Sequence, residues 1–205
     1  DSIDKQLKIT FDSGTITNSD IPSEQFELTE SLTSESQLMF GSCEASEIKF
    51  RIYNVFLPLK DRWLTVTQTL NGDTSSTLQI GKYKVYSDKP TADRGYRDVV
   101  AYDAMYDIIN TDVASWYNGL TFPMSLKAFR DSFFAFFGIE QENVSLVNDS
   151  MEIERTIDVQ VLSGRDVIQS ICEINGCFGH IARNGKFKYV FLKSIMGGLY
   201  PSNDI

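Results

Sequence analysis

The chain has 205 residues, 42% of them apolar and 23% charged, with a formal net charge of −9. That balance is globular, and the length suits one large domain or two small ones. It offers no basic stripe for gripping nucleic acid or an anionic membrane, and no run approaches the roughly 20 apolar residues of a membrane span. The three cysteines, Cys43, Cys172 and Cys177, are odd in number and share no repeated spacing. They argue against a disulfide framework and suit assembly in a reducing cytoplasm. The chain starts at Asp1, which reads as a start inside a longer polypeptide.

The N-terminal half alternates in strand fashion. Leu7, Ile9 and Phe11 alternate with polar neighbours, and Asp12-Ser13-Gly14 is a turn. Phe26 and Leu28 mark a second strand, and Leu38 to Gly41 a short apolar piece. Glu47 to Tyr53 is the cleanest period-two stretch. Leu64, Val66 and Gln68 share a face in the next strand. Asn71 to Ser76 reads as a polar loop, Leu78 to Tyr86 as a strand, Ser87 to Gly95 as a loop around Pro90, and Tyr96 to Tyr102 as the last strand. Many short strands broken by Gly, Pro and Asn predict a small barrel or sandwich.

The pattern changes at Asp103, which can cap a helix running to Asn110. Asp112 can cap a second, short helix carrying Val113, Trp116 and Tyr117. Ser125 caps a third, with Leu126, Phe129, Phe133, Phe136 and Phe137 on one side and Gly138 as its stop. Val144 to Leu146 and Ile153 to Leu162 read as strands. Leu162 to Leu192 then forms one helix feeding one hairpin. Ser163 is its N-cap, with Asp166 completing a capping box. Val167, Ile168, Ile171, Cys172 and Ile174 form the apolar stripe, and Gly176 is a left-handed stop. Asn184-Gly185 predicts a two-residue type I′ turn. That turn pairs His180 with Tyr189 and Phe178 with Phe191, and puts Phe178, His180, Ala182, Phe187, Tyr189 and Phe191 on one buried face.

The sharpest metal pattern is Cys172, Cys177 and His180, which brings two thiols close to the sole histidine. Zinc takes four ligands in structural sites, a fourth is not evident, and the hairpin puts Cys177 and His180 on opposite faces. Buried thiols and one hydrogen-bonded histidine are the preferred reading. Cys172 lies on the apolar stripe, where a nucleophilic thiolate is costly. The carboxylates Asp93, Asp98, Asp103, Asp107, Glu152 and Glu154 read as caps and solvated faces rather than a hydrolytic pair. No residue is assigned to catalysis, to a cofactor or to a metal. Trp63, Trp116 and nine tyrosines offer a sugar-binding platform as the alternative to core packing.

Four stretches carry a family resemblance. They are FELTESLTSESQLMFGSCEASEIKFRIYNV (26–55), IGKYKVYSDKPTADRGYRDVVAYDAMYDIINTDVASWY (80–117), TFPMSLKAFRDSFF (121–134) and SGRDVIQSICEINGCFGHIARNGKFKYVFL (163–192). They resemble the N-terminal region of the tail-tip hub of siphophages and prophages of Gram-positive bacteria, the tail-associated lysin or prophage tail endopeptidase family. The most specific pieces are RDVVAYDAMYD and the helix-hairpin unit, and neither is a catalytic motif. The resemblance implies an α+β chain with a β-barrel-like hub domain over 1–102. An α+β domain over 103–192 follows, ending in a helix plus β-hairpin, and then a linker over 193–205 to a downstream region. It implies a virion structural protein that forms a trimeric ring closing the tail tube. Its partners would be itself and other tail proteins, such as the distal tail and tape-measure proteins. It would be assembled in the bacterial cytoplasm and located at the virion tail tip. Any lytic or peptidase activity would lie in C-terminal domains beyond this chain. A cell-wall hydrolase and a carbohydrate-binding module for host recognition are the competing functions.

Overall fold

The structure is a computed structural model. It describes residues 4–22, 25–33, 39–54, 58–142, 145–155 and 157–192. Leu38, Val144 and the tail 193–205 lie outside the described residues.

A seven-stranded antiparallel sheet dominates. Its strands are β1 (Lys5–Phe11), β2 (Gly14–Thr17), β3 (Phe26–Thr29), β4 (Glu47–Tyr53), β5 (Trp63–Leu70), β6 (Asp73–Pro90) and β7 (Tyr96–Tyr102), in the order β2-β1-β5-β6-β7-β4-β3. The period-two pattern sets which face is buried. Ile48, Phe50 and Ile52 of β4, Leu64 and Val66 of β5, Tyr83 and Val85 of β6, and Val99 and Ala101 of β7 all point into one core. Ile9 and Ile16 join them from the β1-β2 hairpin. Each such aliphatic side chain is worth about 1.5–3 kcal/mol when fully buried. The sheet therefore wraps its own apolar face. Register shifts at Val66/Thr67, Gln68/Leu70 and Val85/Ser87 supply the local twist that permits this. Among the described residues the ladder stays open between β2 and β3.

Two expected loops are strand instead. Asn71-Gly72 alone makes the β5-β6 connection, because Leu70 pairs with Asp73. Both turn residues have positive φ, 52° and 72°, as a type I′ turn requires. Thus the polar run to Ser76 belongs to β6. At its other end β6 continues through Ser87 to Pro90, paired with β7, and the loop shrinks to residues 91–95. Polarity misled there, because Asp73 to Ser76, Lys89 and Pro90 lie on exposed parts of a long strand, while the Asp88 side chain is buried in an ion pair.

The second half combines helices with short strands around a second core, which also takes in Cys43 from the segment before β4. Its helices are α1 (Ala104–Ile109), α2 (Ala114–Asn118), α3 (Leu126–Phe137) and α4 (Gly164–Ile174). Three of the four N-caps sit where the sequence puts them, whereas Val113 takes the N-cap of α2 and Asp112 stands just before it. Asp103 accepts the Met105 N–H, Asp112 the Ala114 N–H and Ser125 the Ala128 N–H. Ser163 accepts the Arg165 N–H, one residue earlier than a capping box with Asp166 requires. Gly138 and Gly176 take φ of 66° and 62° just beyond α3 and α4. Phe133, Phe134, Ile168, Ile171 and Cys172 fill the centre. Phe136, by contrast, is half exposed.

Two-stranded pairs complete the unit. β8 (Met124–Ser125) pairs with β9 (Glu152–Ile153), and β10 (Cys177–Ile181) with β11 (Phe187–Phe191). The expected strand from Ile153 to Leu162 stops after Ile153, and Ile157 and Val161 face solvent. Side chains hold this stretch instead: Asn118 bonds both the N–H and the C=O of Val159, and Asp112 accepts the Leu162 N–H.

The hairpin register also differs by one residue from the type I′ expectation. Gly179 faces Tyr189, His180 faces Lys188 and Phe178 faces Val190. The Gly185 N–H bonds the Ala182 C=O, the Ala182 N–H bonds the Lys186 C=O, and Gly185 has φ of 86°. This is a three-residue loop, a turn followed by a left-handed glycine. A one-residue slip moves every β10 side chain across the sheet. Cys177, Gly179 and Ile181 therefore share the core face with Phe187 and Tyr189, while His180 lies on the other face.

Candidate functional site

The thiols come together, but the histidine does not join them. Cys43, Cys172 and Cys177 are all buried and free. The Cys43 and Cys172 sulfurs are 3.8 Å apart, and the Cys177 thiol donates to the Cys172 carbonyl oxygen at 3.4 Å. The neighbouring thiols of Cys177 and Cys43, with burial, push the Cys172 thiol well above its ordinary range. Burial lowers the His180 pKa, so the imidazole favours its neutral form. No group of three or more His, Cys, Asp or Glu among the described residues is arranged to hold a metal ion.

The carboxylates are scattered and engaged. Asp98 forms a two-point ion pair with Arg51 across β4 and β7, at 2.6 and 3.1 Å. Asp107 pairs with Lys84 at 3.0 Å, and Asp93 is bonded within its own turn by Thr91 and the Gly95 N–H. Asp103 is buried as a cap, while Glu152 and Glu154 are exposed at the short β9.

Two buried ion pairs escaped the sequence reading. Arg97 donates to Asp88 at 2.7 Å, and Asp88 also accepts the Leu59 N–H. Arg130, on α3, donates to both oxygens of Asp149 at 2.8 and 2.9 Å and to the Gln141 side chain at 2.7 Å. Tyr189 donates to the same Gln141 oxygen. These centres hold loops against the two cores. Nothing in local spacing announces them, because the partners are distant in sequence.

The outward features are aromatic and apolar. A row crosses four strands: Trp63, Lys84, Tyr102 and Glu47 are successive cross-strand partners on the sheet's outer side. Tyr106 from α1 stacks on Tyr102 at 4.3 Å, and Tyr86 contacts both. The half-exposed indole of Trp63 forms one wall of a cleft of about 700 Å³, with Phe137, Ile139, Lys82 and Lys186 among its other walls. Trp116 is different: it is packed on Phe129 and Phe133 and donates its ring N–H to Ser132. A second groove, about 830 Å³, lies where the sheet's ends approach and is lined by Leu7, Ile21, Phe26, Leu28 and Ile80. There Asn18 stands in for a strand, accepting the Leu7 N–H and donating to the Lys5 carbonyl. On the helical half, Val147, Ile157 and Val161 are 82%, 73% and 76% exposed. Single exposed apolar residues are ordinary, but an apolar or aromatic cluster is the usual mark of a protein contact. No described helix is long and apolar enough to cross a membrane.

No family model and no curated protein matches the sequence. Solved structures do match its fold. The 43 kDa tail protein of prophage MuSo2 from Shewanella oneidensis superposes with a TM-score of 0.62 at 11% identity, over 90% of this chain and 54% of its own. A tail protein from Neisseria meningitidis MC58 gives a TM-score of 0.54 at 10% identity, over 90% of this chain and 50% of its own. The prophage tail protein gp18 from Listeria monocytogenes EGD-e gives 0.54 at 12% identity, over 91% and 50%. The chain thus spans about half the length of these three tail proteins and shares their fold over that span.

Proposed function

We propose that the chain is a structural part of a phage or prophage tail, the N-terminal part of a tail-tip hub that assembles as a ring closing the tube. The observation that carries this reading is the fold shared with three tail proteins over about nine-tenths of the chain. The self-wrapped sheet suits a barrel-like hub module over 1–102, and the second apolar core suits a separate α+β domain over 103–192. In this reading the protein works by assembly and carries no catalytic group. Its partners are further copies of itself and other tail proteins, such as the distal tail and tape-measure proteins. It is built in the bacterial cytoplasm and resides at the distal end of the virion tail.

Closed rings need two different patches per copy. The Trp63-Tyr86-Tyr102-Tyr106 surface is offered as one such patch. The test is antibody labelling of particles induced from the source strain, viewed by electron microscopy. Label confined to the distal tail end supports the hub. Intact tails without label remove it.

A second reading has one specific support, the half-exposed Trp63 in its cleft. A carbohydrate-binding role predicts that cell-wall glycan fragments quench tryptophan fluorescence, and that Trp63→Ala abolishes the quenching.

A further inference from the structure

All three cysteines of the chain meet in one buried cluster, although one precedes the others by well over a hundred residues. Cys43 reaches that cluster through a slot cut by glycines. A side chain at Gly179 would put its Cβ 2.4 Å from the Cys43 sulfur, and one at Gly41 would meet the Gln169 carbonyl at 2.9 Å. Gly41 also has φ of 89°. The segment is laid along β10 by two main-chain bonds, Gly41 N–H to Cys177 C=O and Gly179 N–H to Ser42 C=O. Its thiol then faces that of Cys172 at 3.8 Å. Disulfide formation from there asks for less than 2 Å of approach, since the bond length is about 2.0 Å.

We propose that Cys43 and Cys172 form an intramolecular disulfide when the protein meets a low-molecular-weight disulfide, tying the segment before β4 to α4. The Cys43 thiolate attacks the small disulfide, breaking its S–S bond, releasing one small thiol and leaving a mixed disulfide. The Cys172 sulfur, losing its proton, displaces the second small thiol and forms the Cys43–Cys172 bond. Two protein S–H bonds are lost, one S–S bond is gained, and the oxidant is reduced to two thiols. Opening of the Gly41 segment admits the reagent, so the reaction is slow compared with that of a surface thiol. Both outer thiols are engaged on main-chain oxygens, Cys43 on Gly41 at 3.2 Å and Cys177 on Cys172 at 3.4 Å, but Cys43 lies on the segment that opens, whereas Cys177 is held in the paired strand β10 and stays reduced. The proposal is independent of the tail-tip reading.

The test is incubation of the reduced protein with oxidised glutathione, followed by thiol counting in denaturant and peptide mapping without reductant. The expected result is a fall from three free thiols to one, no bound glutathione, and a single linked pair of peptides carrying Cys43 and Cys172. Cys177→Ser keeps the link, and Cys172→Ser removes it. The linked protein melts at a higher temperature than the reduced one, and reductant reverses the shift. Three thiols persisting after prolonged oxidation would overturn the proposal. So would a link through Cys177, or glutathione held on any of the three. Because the primary reading is on the wild-type chain, a variant that fails to fold leaves the outcome decisive.

Discussion

The carboxylate of Asp103 accepts the backbone N–H of Ser46 at 3.0 Å, joining the last residue before β4 to the first turn of α1. Its other oxygen accepts the Met105 N–H at 2.9 Å, and the Ser46 carbonyl accepts the Asp103 N–H. One buried side chain thus links the large sheet to the helical half at the point where the chain passes between them.

Burial is the largest influence on Asp103 and raises its pKa to about 6, against the two N–H donors that lower it. The folded value lies above the unfolded one, so the folded state holds the proton more tightly. Stability from this group is greatest below about pH 4 and falls as the pH rises to about 6, by about 3 kcal/mol for a shift of about two units. Asp103→Asn abolishes that slope and loses one acceptor, a cost of about 1–3 kcal/mol. The stability difference between wild type and variant, measured by urea unfolding, is therefore largest near pH 4 and shrinks towards pH 7. A difference that grows over this range would exclude a raised Asp103.

The Arg130–Asp149 pair has the opposite sign. The hydrogen bonds from Arg130 hold the Asp149 carboxyl below its ordinary range. Its contribution is present above the ordinary carboxylate range and is lost as the pH falls through the lowered value. Arg130→Met leaves the buried Asp149 carboxylate without its cation, a loss of about 3–5 kcal/mol at neutral pH, while the Gln141 oxygen keeps its bond from Tyr189. Adding Asp149→Leu recovers part of it, so a double-mutant cycle returns a clear coupling. Additive losses would mean that the two groups do not act as a pair.

Gly164 tests how closely the first and last helices approach. A Cβ there would sit 2.2 Å from the Ile108 carbonyl oxygen, and the Gly164 N–H bonds the Thr111 carbonyl. The obstacle is backbone and cannot rotate away. Gly164→Ala is expected to cost about 1–3 kcal/mol, although alanine favours an isolated helix by about 1 kcal/mol. Thermal unfolding reads the sign directly. A stabilised variant would show that the helices have room to separate.

Much of the fold is legible where the signal is local. Glu47 to Tyr53 and Tyr96 to Tyr102 are strands with the expected bounds, and Asp103, Ser125 and Ser163 cap helices, with Asp112 one residue before the cap of α2. A cap needs only its own first turn. Features set by distant partners were not legible. β6 extends far beyond its apolar centre because β5 and β7 pair with it, whatever its composition. Ile153 to Leu162 alternates like a strand, yet among the described residues beyond Ile153 it pairs with no strand and is held by side chains. Of the candidate site, the burial of the thiols was legible, but not the pairing of Cys43 with Cys172. The two are joined only by tertiary packing.

The two Asn-Gly pairs make the same point and can be tested. Asn71-Gly72 forms the two-residue turn, whereas Asn184-Gly185 sits in a three-residue loop where Asn184 accepts the Lys186 N–H through its side chain. The difference is the core beyond the turn. With Gly179 opposite Tyr189, the bare glycine leaves space for the Cys43 sulfur, and Phe178 turns to the other face, where it meets Phe40. A two-residue turn would place Phe178 at the thiol cluster. Nuclear Overhauser contacts between the α-protons of cross-strand neighbours distinguish the registers, since the non-hydrogen-bonded pair Gly179 and Tyr189 is expected to show one. Gly185→Ala, at φ of 86°, is expected to cost about 1–2 kcal/mol, and Gly185→Asn less, because asparagine tolerates the left-handed region better. Contact between His180 and Tyr189 would instead establish the type I′ register and move His180 to the core face.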